Sequence, residues 1–379
     1  MTIVMIFSLV ILFYIYLGYY LVLKAAVAIR GINKNSNSNR MDKTNLPSIT
    51  VLLTVFNEEK QVADRIKNIL ECVYPPDKLN VLVASDGSTD NTDKIVSSFH
   101  AKNVELFRPK SRGGKTATQN QAVEQIKSSI IVFTDAATRF DKNFLIELVQ
   151  PFSTPEVGGV DGHLQFLIKK EMNIARSQGL YWNQELKIRT LESNLGILAV
   201  ASGACLAVRR SLFRPMPPTV GEDCVVPLDV VSQGFKMIHN ENALAYDLLE
   251  SDVKGELQTR IRMTLRNWQG TWAYPHLLNP FKYPGIAFSL WSHKILRWLS
   301  PIFLIGWLTS SLYLLFLKGN ILGIPAMFFV ALGILGLVSN YHGKSVPLAS
   351  QIYSLCFANL GFLLGVILAI FGKKIAQYR

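Results

Sequence analysis

No charged residue occurs between Met1 and Leu23, and this run is what most limits how the chain can fold. Its core, Ile3 to Leu23, is long enough as a helix to cross a hydrocarbon layer roughly 30 Å thick. It is expected to be a transmembrane helix. A cleaved leader would need a basic start and a small-residue cleavage site ahead of Lys24, and the sequence offers neither. Three further apolar runs follow near the other end: Leu299–Leu317, Ile321–Ser339 and Val346–Phe371. Lys318-Gly319-Asn320 separates the first two, and Asn340-Tyr341-His342-Gly343-Lys344 the last two. With such short breaks they are expected as helices of a compact bundle in residues 299–379.

These runs explain why 49% of the residues are hydrophobic although the middle carries ordinary charge density. The net charge is +12. Part of it, Lys24, Arg30, Lys34, Arg40 and Lys43, gathers in a Ser/Asn-rich linker over 24–46. Basic residues beside a span mark its cytoplasmic side, and beside anionic headgroups they gain about 1 kcal/mol each. The middle is therefore expected on the cytosolic face of a multi-pass protein of the cell membrane. No basic module interleaved with aromatics is present, so nucleic acid is not an expected partner. One conflict stands: four full crossings would put Lys373, Lys374 and Arg379 on the far side, against the charge rule. The four cysteines show no paired spacing and are expected to be reduced and unligated.

Ahead of the bundle, residues 281–298 have the pattern of an amphipathic helix. Ser289, Ser292, His293, Lys294 and Arg297 share one face, and Ile286, Leu290, Trp291, Ile295 and Trp298 the other. This reads as a helix lying at the membrane surface, with His293 at headgroup level.

Residues 47–280 have the size of one α/β domain. Ile49–Phe56 is a β-branched apolar run, followed by Asn57-Glu58-Glu59 and an amphipathic stretch through Val62, Ile66, Ile69 and Leu70. Strands are also expected at Leu79–Ala84, Val104–Phe107 and Ile130–Thr134. Alternation of strand and helix implies a mostly parallel sheet with right-handed crossovers. Three acidic motifs, Ser85-Asp86-Gly87-Ser88-Thr89-Asp90, Phe133-Thr134-Asp135-Ala136-Ala137 and Gly221-Glu222-Asp223, follow or interrupt apolar runs. Their carboxylates should collect at one sheet edge, where open α/β folds bind ligands.

Seven motifs in order carry a family resemblance: Phe56-Asn57-Glu58-Glu59, Ser85 to Asp90, Arg112-Gly113-Gly114-Lys115, Thr134-Asp135-Ala136, Gly203-Ala204-Cys205, Glu222-Asp223 and Arg266-Asn267-Trp268-Gln269. The chain resembles the membrane-bound glycosyltransferases of family 2, which include cellulose, hyaluronan and poly-N-acetylglucosamine synthases. The resemblance implies a nucleotide-diphospho-sugar transferase domain of the GT-A type, flanked by transmembrane helices. It also implies nucleotide binding at Asp86, a metal at Asp135, a catalytic base at Asp223 and acceptor contacts at Trp268 and Gln269. Two departures stand out. The second acid of the usual metal motif is replaced by Ala137, and one residue separates Arg266 from Trp268 where the synthases place the two side by side.

Chemistry agrees with these assignments. A UDP-sugar needs acceptors for its base, cations for its diphosphate and a carboxylate opposite the leaving group. Asp86, at a strand end, can accept from the uracil ring nitrogen, and Asn57 and Glu58 are expected to line the same pocket. Gly113 and Gly114 let backbone amides turn toward phosphate at a helix N-terminus, where Lys115 adds charge. On a helix over Gln258–Trp272, Arg262 and Arg266 stand four apart and would repel without an anion between them; Arg266 is the expected phosphate contact. Mg²⁺ or Mn²⁺ can be held by one carboxylate when waters and phosphates complete its shell, so Asp135 alone can suffice. Asp223, with Glu222 as rival, suits the removal of an acceptor proton in an inverting displacement.

The expected protein is thus a membrane glycosyltransferase extending a surface or extracellular polysaccharide from a UDP-Glc or UDP-GlcNAc type donor, on a glycan or lipid-linked acceptor, alone or beside an exporter or accessory subunit. Two other readings are a single-addition enzyme acting on a ceramide or polyprenyl phosphate, and an inactive membrane scaffold.

Overall fold

β1 (Ile49–Val55) is buried along almost its whole length because both faces of the sheet are covered. The computed structural model describes residues 1–31, 41–42, 45–99, 103–168, 173–249, 253–344 and 346–374; Lys34, Arg40 and Lys43 of the Ser/Asn-rich linker, and Arg379, lie outside them. Val51, Leu53 and Val55 pack with Ile66 and Phe144 on one side, and Leu52 packs with Phe133, Leu206 and Val225 on the other. Each such side chain contributes roughly 1.5–3 kcal/mol on burial. β1 pairs in parallel with β2 (Leu79–Ser85) and β4 (Ile130–Thr134), and β2 with β3 (Val104–Phe107). The sheet then turns mixed. β7 (Leu206–Arg209) runs antiparallel to β4 and to β6 (Val157–Ile168), β6 is parallel to β8 (Lys236–Leu249), and the short β5 (Arg139–Phe140) closes the edge against β8. The order is β3-β2-β1-β4-β7-β6-β8-β5, an α/β sheet with mostly parallel pairing.

The helices interleaved with the first strands are α2 (Val62–Leu70), α3 (Thr92–Ser97), α4 (Lys115–Gln125) and α5 (Phe144–Val149). The carboxyl ends of β1, β2 and β4 open on one edge and carry Asn57, Asp86 and Asp135 there. Arg65 of α2 holds that edge from below. Its guanidinium is fully buried, lies 4.0 Å over the Phe140 ring, and donates to Thr134 Oγ1 at 2.7 Å and to the Asp135 carbonyl at 3.2 Å.

α1 runs continuously over Thr2–Ile29, past Leu23, with a π-helical turn at Tyr14–Gly18. By length and composition, α1, α10 (Ser300–Lys318), the segment Ile321–Tyr341 that contains α11 (Ile324–Tyr341), and α12 (Pro347–Ile370) are apolar enough to cross a membrane. α10 lies on α1, with Gly306 so close to Ser8 that a Cβ there would stand 2.9 Å from its hydroxyl. The first half of α12 packs on α11 and the second half does not stay in the bundle. Gly361 and Gly365 press against Arg260 and Thr264 of α8 (Val253–Trp272), while Phe362 and Val366 join the domain's own core beside Val225 and Leu277. Gln269 Nε2 then donates to the Lys373 carbonyl at 2.8 Å. The backbone just after α12 is therefore held against the domain at Lys373.

The helix over 284–298, α9, corrects another expectation. Its polar face is not offered to headgroups: it is buried against α6 (Asn173–Leu195) and α1. His293 is fully buried, with Nδ1 2.9 Å from Glu192 Oε1 and Nε2 2.9 Å from Glu185 Oε2. Each ring nitrogen thus faces a carboxyl oxygen of α6. Arg297 donates to Glu185 at 2.7 Å, Ser289 to Glu192 at 2.9 Å, and Tyr19 of α1 to Glu192 at 2.6 Å. Arg189 extends the network, reaching Glu185 at 3.2 Å and Asp161 at 3.1 Å. Burial alone would raise these carboxyls, but His293, Lys294 and Arg189 hold Glu185 well below the usual range, and His293 holds Glu192 below it.

Removing one partner from such a buried network leaves a charge uncompensated, at roughly 3–5 kcal/mol. His293→Ala is expected to lower the thermal midpoint of the purified protein accordingly. Because Glu185 and Glu192 are depressed in the fold, their contribution is complete above the ordinary carboxylate range near about 4 and is lost as pH falls through the depressed values. In His293→Ala the acid-unfolding midpoint, read by tryptophan fluorescence, should move to higher pH; an unmoved midpoint would show that the network contributes nothing.

Candidate active site

Asp86, at the end of β2, is 5% exposed and organises the loop ahead of α4. Its Oδ1 accepts from the amides of Gly113 at 3.0 Å and Gly114 at 3.1 Å and from Thr118 Oγ1 at 2.8 Å. Gly114 has φ +88°, a left-handed conformation that favours glycine, and this aims its amide at the carboxylate. The two glycine amides expected to face phosphate are thus taken by Asp86. Arg112 lies 3.7 Å over the Phe56 ring, with Nε 3.7 Å from Asp86 Oδ2. The loop so held delivers Lys115 as the first residue of α4.

Lys115 Nζ is 2.6 Å from Asp135 Oδ1 and 2.6 Å from Glu222 Oε1. Glu222 begins α7 (Glu222–Ser232), so one ammonium joins the parallel half of the sheet to the mixed half. Glu222 is almost fully buried and lies against Gly203, where a Cβ would come 2.5 Å from its carboxylate oxygen; this accounts for glycine in the Gly203-Ala204-Cys205 motif. Gly221 likewise leaves room for Asp223 and Arg266, since a Cβ there would meet Asp223 Oδ1 at 2.4 Å and the Arg266 guanidinium at 3.4 Å. Arg266 is buried and donates to Thr116 Oγ1 at 3.3 Å. Asp223 is the more open member of the acidic pair.

These groups line a cleft of two contiguous cavities. One, of about 430 Å³, is bounded by Phe56, Glu58, Asp86, Arg112 and Ala137. The other, of about 410 Å³, is bounded by Glu222, Asp223, Arg266, Trp182 and Lys294. They meet at Lys115, Asp135 and Arg262. Of the residues singled out from sequence, Glu58, Asp86, Lys115, Asp135, Asp223 and Arg266 are brought together here. Others are placed elsewhere. Asn57, at φ +56°, accepts from the Thr89 amide at 2.8 Å and ties the first two loops together. Trp268 packs between Trp272 and Trp298, and Gln269 is turned toward Lys373, so neither of these two lines the cleft.

Residues not anticipated as site residues also line it. Trp182 and Arg189 come from α6, whose sequence carries no motif, and Asp247 from β8. Asp161 is fully buried behind the cleft wall, where it accepts from Arg189 at 3.1 Å, His239 at 2.8 Å and the Ser202 amide at 2.7 Å. Burial opposes its charge, yet Arg189 and His239 outweigh that and keep its carboxyl below the usual range. The only signal in the sequence was an aspartate inside an apolar strand, a position that requires a partner.

Asp135 and Glu222 direct one oxygen each at a single cation position, now taken by Lys115. Among the described residues no group of three His, Cys, Asp or Glu side chains could hold a metal. A hard divalent cation needs only one or two carboxylates when substrate phosphates and waters supply the rest, and this donor pair, in a cleft that also presents Lys115, Arg262 and Arg266, fits that type.

Residues 50–216 match the model of glycosyl transferase family 2. The chain carries a family 2 glycosyltransferase domain. It is 26% identical over 250 residues to an N-acetylglucosaminyltransferase of Azorhizobium caulinodans, covering 59% of this chain and 61% of that one. It is 22% identical over 224 residues to a poly-beta-1,6-N-acetyl-D-glucosamine synthase of Staphylococcus aureus, covering 57% and 54%. The chain thus spans little more than half the length of the curated relatives it matches. Among solved structures it is similar to a mannosyltransferase of Pyrobaculum calidifontis in complex with GDP-Man and Mn²⁺, at 20% identity, with a TM-score of 0.74 over 98% of this chain and all of that one. The fold of the family 2 domain is GT-A-like.

Asp86→Ala should leave the Gly113 and Gly114 amides without their acceptor and loosen the loop that presents Lys115. UDP binding measured by calorimetry is expected to weaken by at least about tenfold, near 1.4 kcal/mol; unchanged affinity would remove Asp86 from the site.

Proposed function

We propose that the protein is a membrane-embedded, inverting glycosyltransferase that uses a UDP-sugar of the UDP-Glc or UDP-GlcNAc type to extend a surface or extracellular polysaccharide. The carrying observation is the convergence, in one cleft at the carboxyl ends of the strands, of a buried aspartate at a loop, a lysine and arginines for diphosphate, and an accessible Asp223 beside Arg266. The relatives named for N-acetylglucosamine transfer support a UDP-GlcNAc type donor. The domain is proposed to face the cytosol of a multi-pass protein of the cell membrane, a reading supported by Lys24 and Arg30 after the apolar part of α1 and by Lys373, whose carbonyl Gln269 holds against the domain.

In this reading Asp86 Oδ2 and Glu58 face the nucleoside, and Lys115 and Arg266 take up the diphosphate. Asp223 accepts the acceptor hydroxyl proton as that oxygen bonds to the anomeric carbon from the face opposite the diphosphate. The bond from carbon to the diphosphate breaks, and the nucleoside diphosphate leaves against the cationic groups. Asp135, with Glu222, would hold Mg²⁺ or Mn²⁺, which when bound neutralises charge on the departing diphosphate; that the similar mannosyltransferase is in complex with Mn²⁺ supports use of a divalent cation.

Asp223→Asn is expected to cut glycosyl transfer by about 10²–10⁴-fold, the usual contribution of a general base, with UDP binding retained. Radiolabelled product from a panel of UDP-sugars measures this, and undiminished transfer would overturn the assignment. Excess EDTA should abolish transfer and added Mg²⁺ or Mn²⁺ restore it. A catalytically inactive scaffold would give no product with any donor.

A further inference from the structure

Asp135 and Glu222 come from opposite halves of the sheet, yet each places one carboxylate oxygen 2.6 Å from Lys115 Nζ. The three groups differ in how freely they can move. The Glu222 side chain is 3% exposed, and its Oε1, the oxygen that meets the lysine, lies so close to Gly203 that a Cβ there would stand 2.5 Å away. The Asp135 backbone is held through its carbonyl by the buried Arg65 guanidinium at 3.2 Å. Lys115 is the mobile member. Its backbone is fixed by the loop that Asp86 gathers, but an ammonium on a four-carbon stem turns about its own bonds without moving that loop. Lys115 and Asp135 line both cavities of the cleft, so the ammonium borders open space.

The position of Nζ is the one a divalent cation would need. Mg²⁺ binds oxygen at about 2.0–2.1 Å, and the two carboxylate oxygens lie no farther apart than twice the 2.6 Å that each keeps from Nζ. An ion reaching both oxygens would stand where the ammonium stands, so the two exclude each other. An arriving diphosphate offers the ammonium another anion. Once the lysine turns to it, two converging carboxylates are left that repel unless another cation comes between them.

We propose that Lys115 is the resident counter-cation of Asp135 and Glu222: it joins the two halves of the site until the donor arrives, then turns to the diphosphate and yields its place to a divalent cation. Donor and cation thus bind as a coupled pair, each strengthening the other by the same factor. The inference rests on the transferase reading and adds how that site is regulated: Lys115 keeps the cation position closed to metal while no nucleotide is present.

The test measures Mn²⁺ binding to the full-length purified protein by electron paramagnetic resonance of the free ion, without nucleotide and with UDP. Wild type is expected to bind Mn²⁺ at least about tenfold more tightly with UDP than without it. Lys115→Met removes the ammonium and keeps the apolar stem. Without nucleotide it should bind Mn²⁺ at least about tenfold more tightly than wild type, because a unit charge no longer competes at contact distance. Its thermal midpoint without metal should fall below that of wild type, and Mn²⁺ alone should restore it while leaving the wild-type midpoint unmoved. Lys294→Met removes a cation of the same cleft that pairs with Glu185 instead, and should bind Mn²⁺ without nucleotide as wild type does.

Equal nucleotide-free affinity in wild type and Lys115→Met would overturn the proposal and leave Lys115 a phosphate contact only. An equal gain in Lys294→Met would also sink it, since any lost charge would then have the same effect. Lys115→Gln serves where Lys115→Met does not fold, and in wild type alone, Mn²⁺ bound as tightly without UDP as with it refutes a resident lysine. UDP binding to wild type in the presence of Mn²⁺ reports separately on the transferase reading. Its absence strikes that reading, whereas retained UDP binding with unchanged Mn²⁺ affinity in Lys115→Met strikes only this one.

Discussion

A carboxylate taken out of water must be met by a cation or by several hydrogen-bond donors, and the buried acids of this protein lie where its parts have to be joined. Lys115 between Asp135 and Glu222 draws the parallel and mixed halves of the sheet to one edge. Asp86 gathers the Arg112–Lys115 loop that delivers the lysine. Behind them, Asp161 and Arg189 connect the sheet to α6, and Glu185, Glu192 and His293 connect α6 to α9 and α1. The apolar core supplies most of the folding free energy, while these charges select which arrangement of strands and helices is adopted.

The same network relates the apolar helices and the cleft. Tyr19 of α1 bonds to Glu192, which bonds to His293; His293 bonds to Glu185, and Arg189 links Glu185 to Ser202 at 2.8 Å, directly before Gly203 on the cleft wall. Apolar helices that only anchored the domain would need no buried ion network at their junction. Here α1 and α9 are continuous with the floor of the site, and α12 passes from the bundle into the domain core.

Much of the fold was legible locally. β1 and β4 are short apolar runs ended by polar loops, and the helices beginning at Lys115 and Glu222 start at glycine turns. The acids at strand ends were readable because a parallel sheet presents the carboxyl ends of its strands on one edge. Trp268 and Gln269 were placed by a motif whose spacing differs in this chain, and packing against Trp298 and Lys373 moved them away from the cleft. The polar face of α9 misled for a related reason: amphipathic periodicity reports that a face is polar, but it cannot distinguish water or headgroups from the carboxylates of another helix.

The sequence by itself determined the apolar helices, the α/β order of the domain and the side chains available for chemistry, because each follows from periodicity or residue type within a few turns of chain. Only the tertiary structure decided what the charges do. Glu185 and His293 are separated by more than a hundred residues, as are Thr116 and Val220, whose hydroxyl and carbonyl bond to each other. Partners at such distances leave no periodic trace, since the chain between them imposes no register. The buried acid network, the return of α12 to the domain and the cation position between Asp135 and Glu222 exist only once the sheet edge, α6 and the bundle have closed on one another.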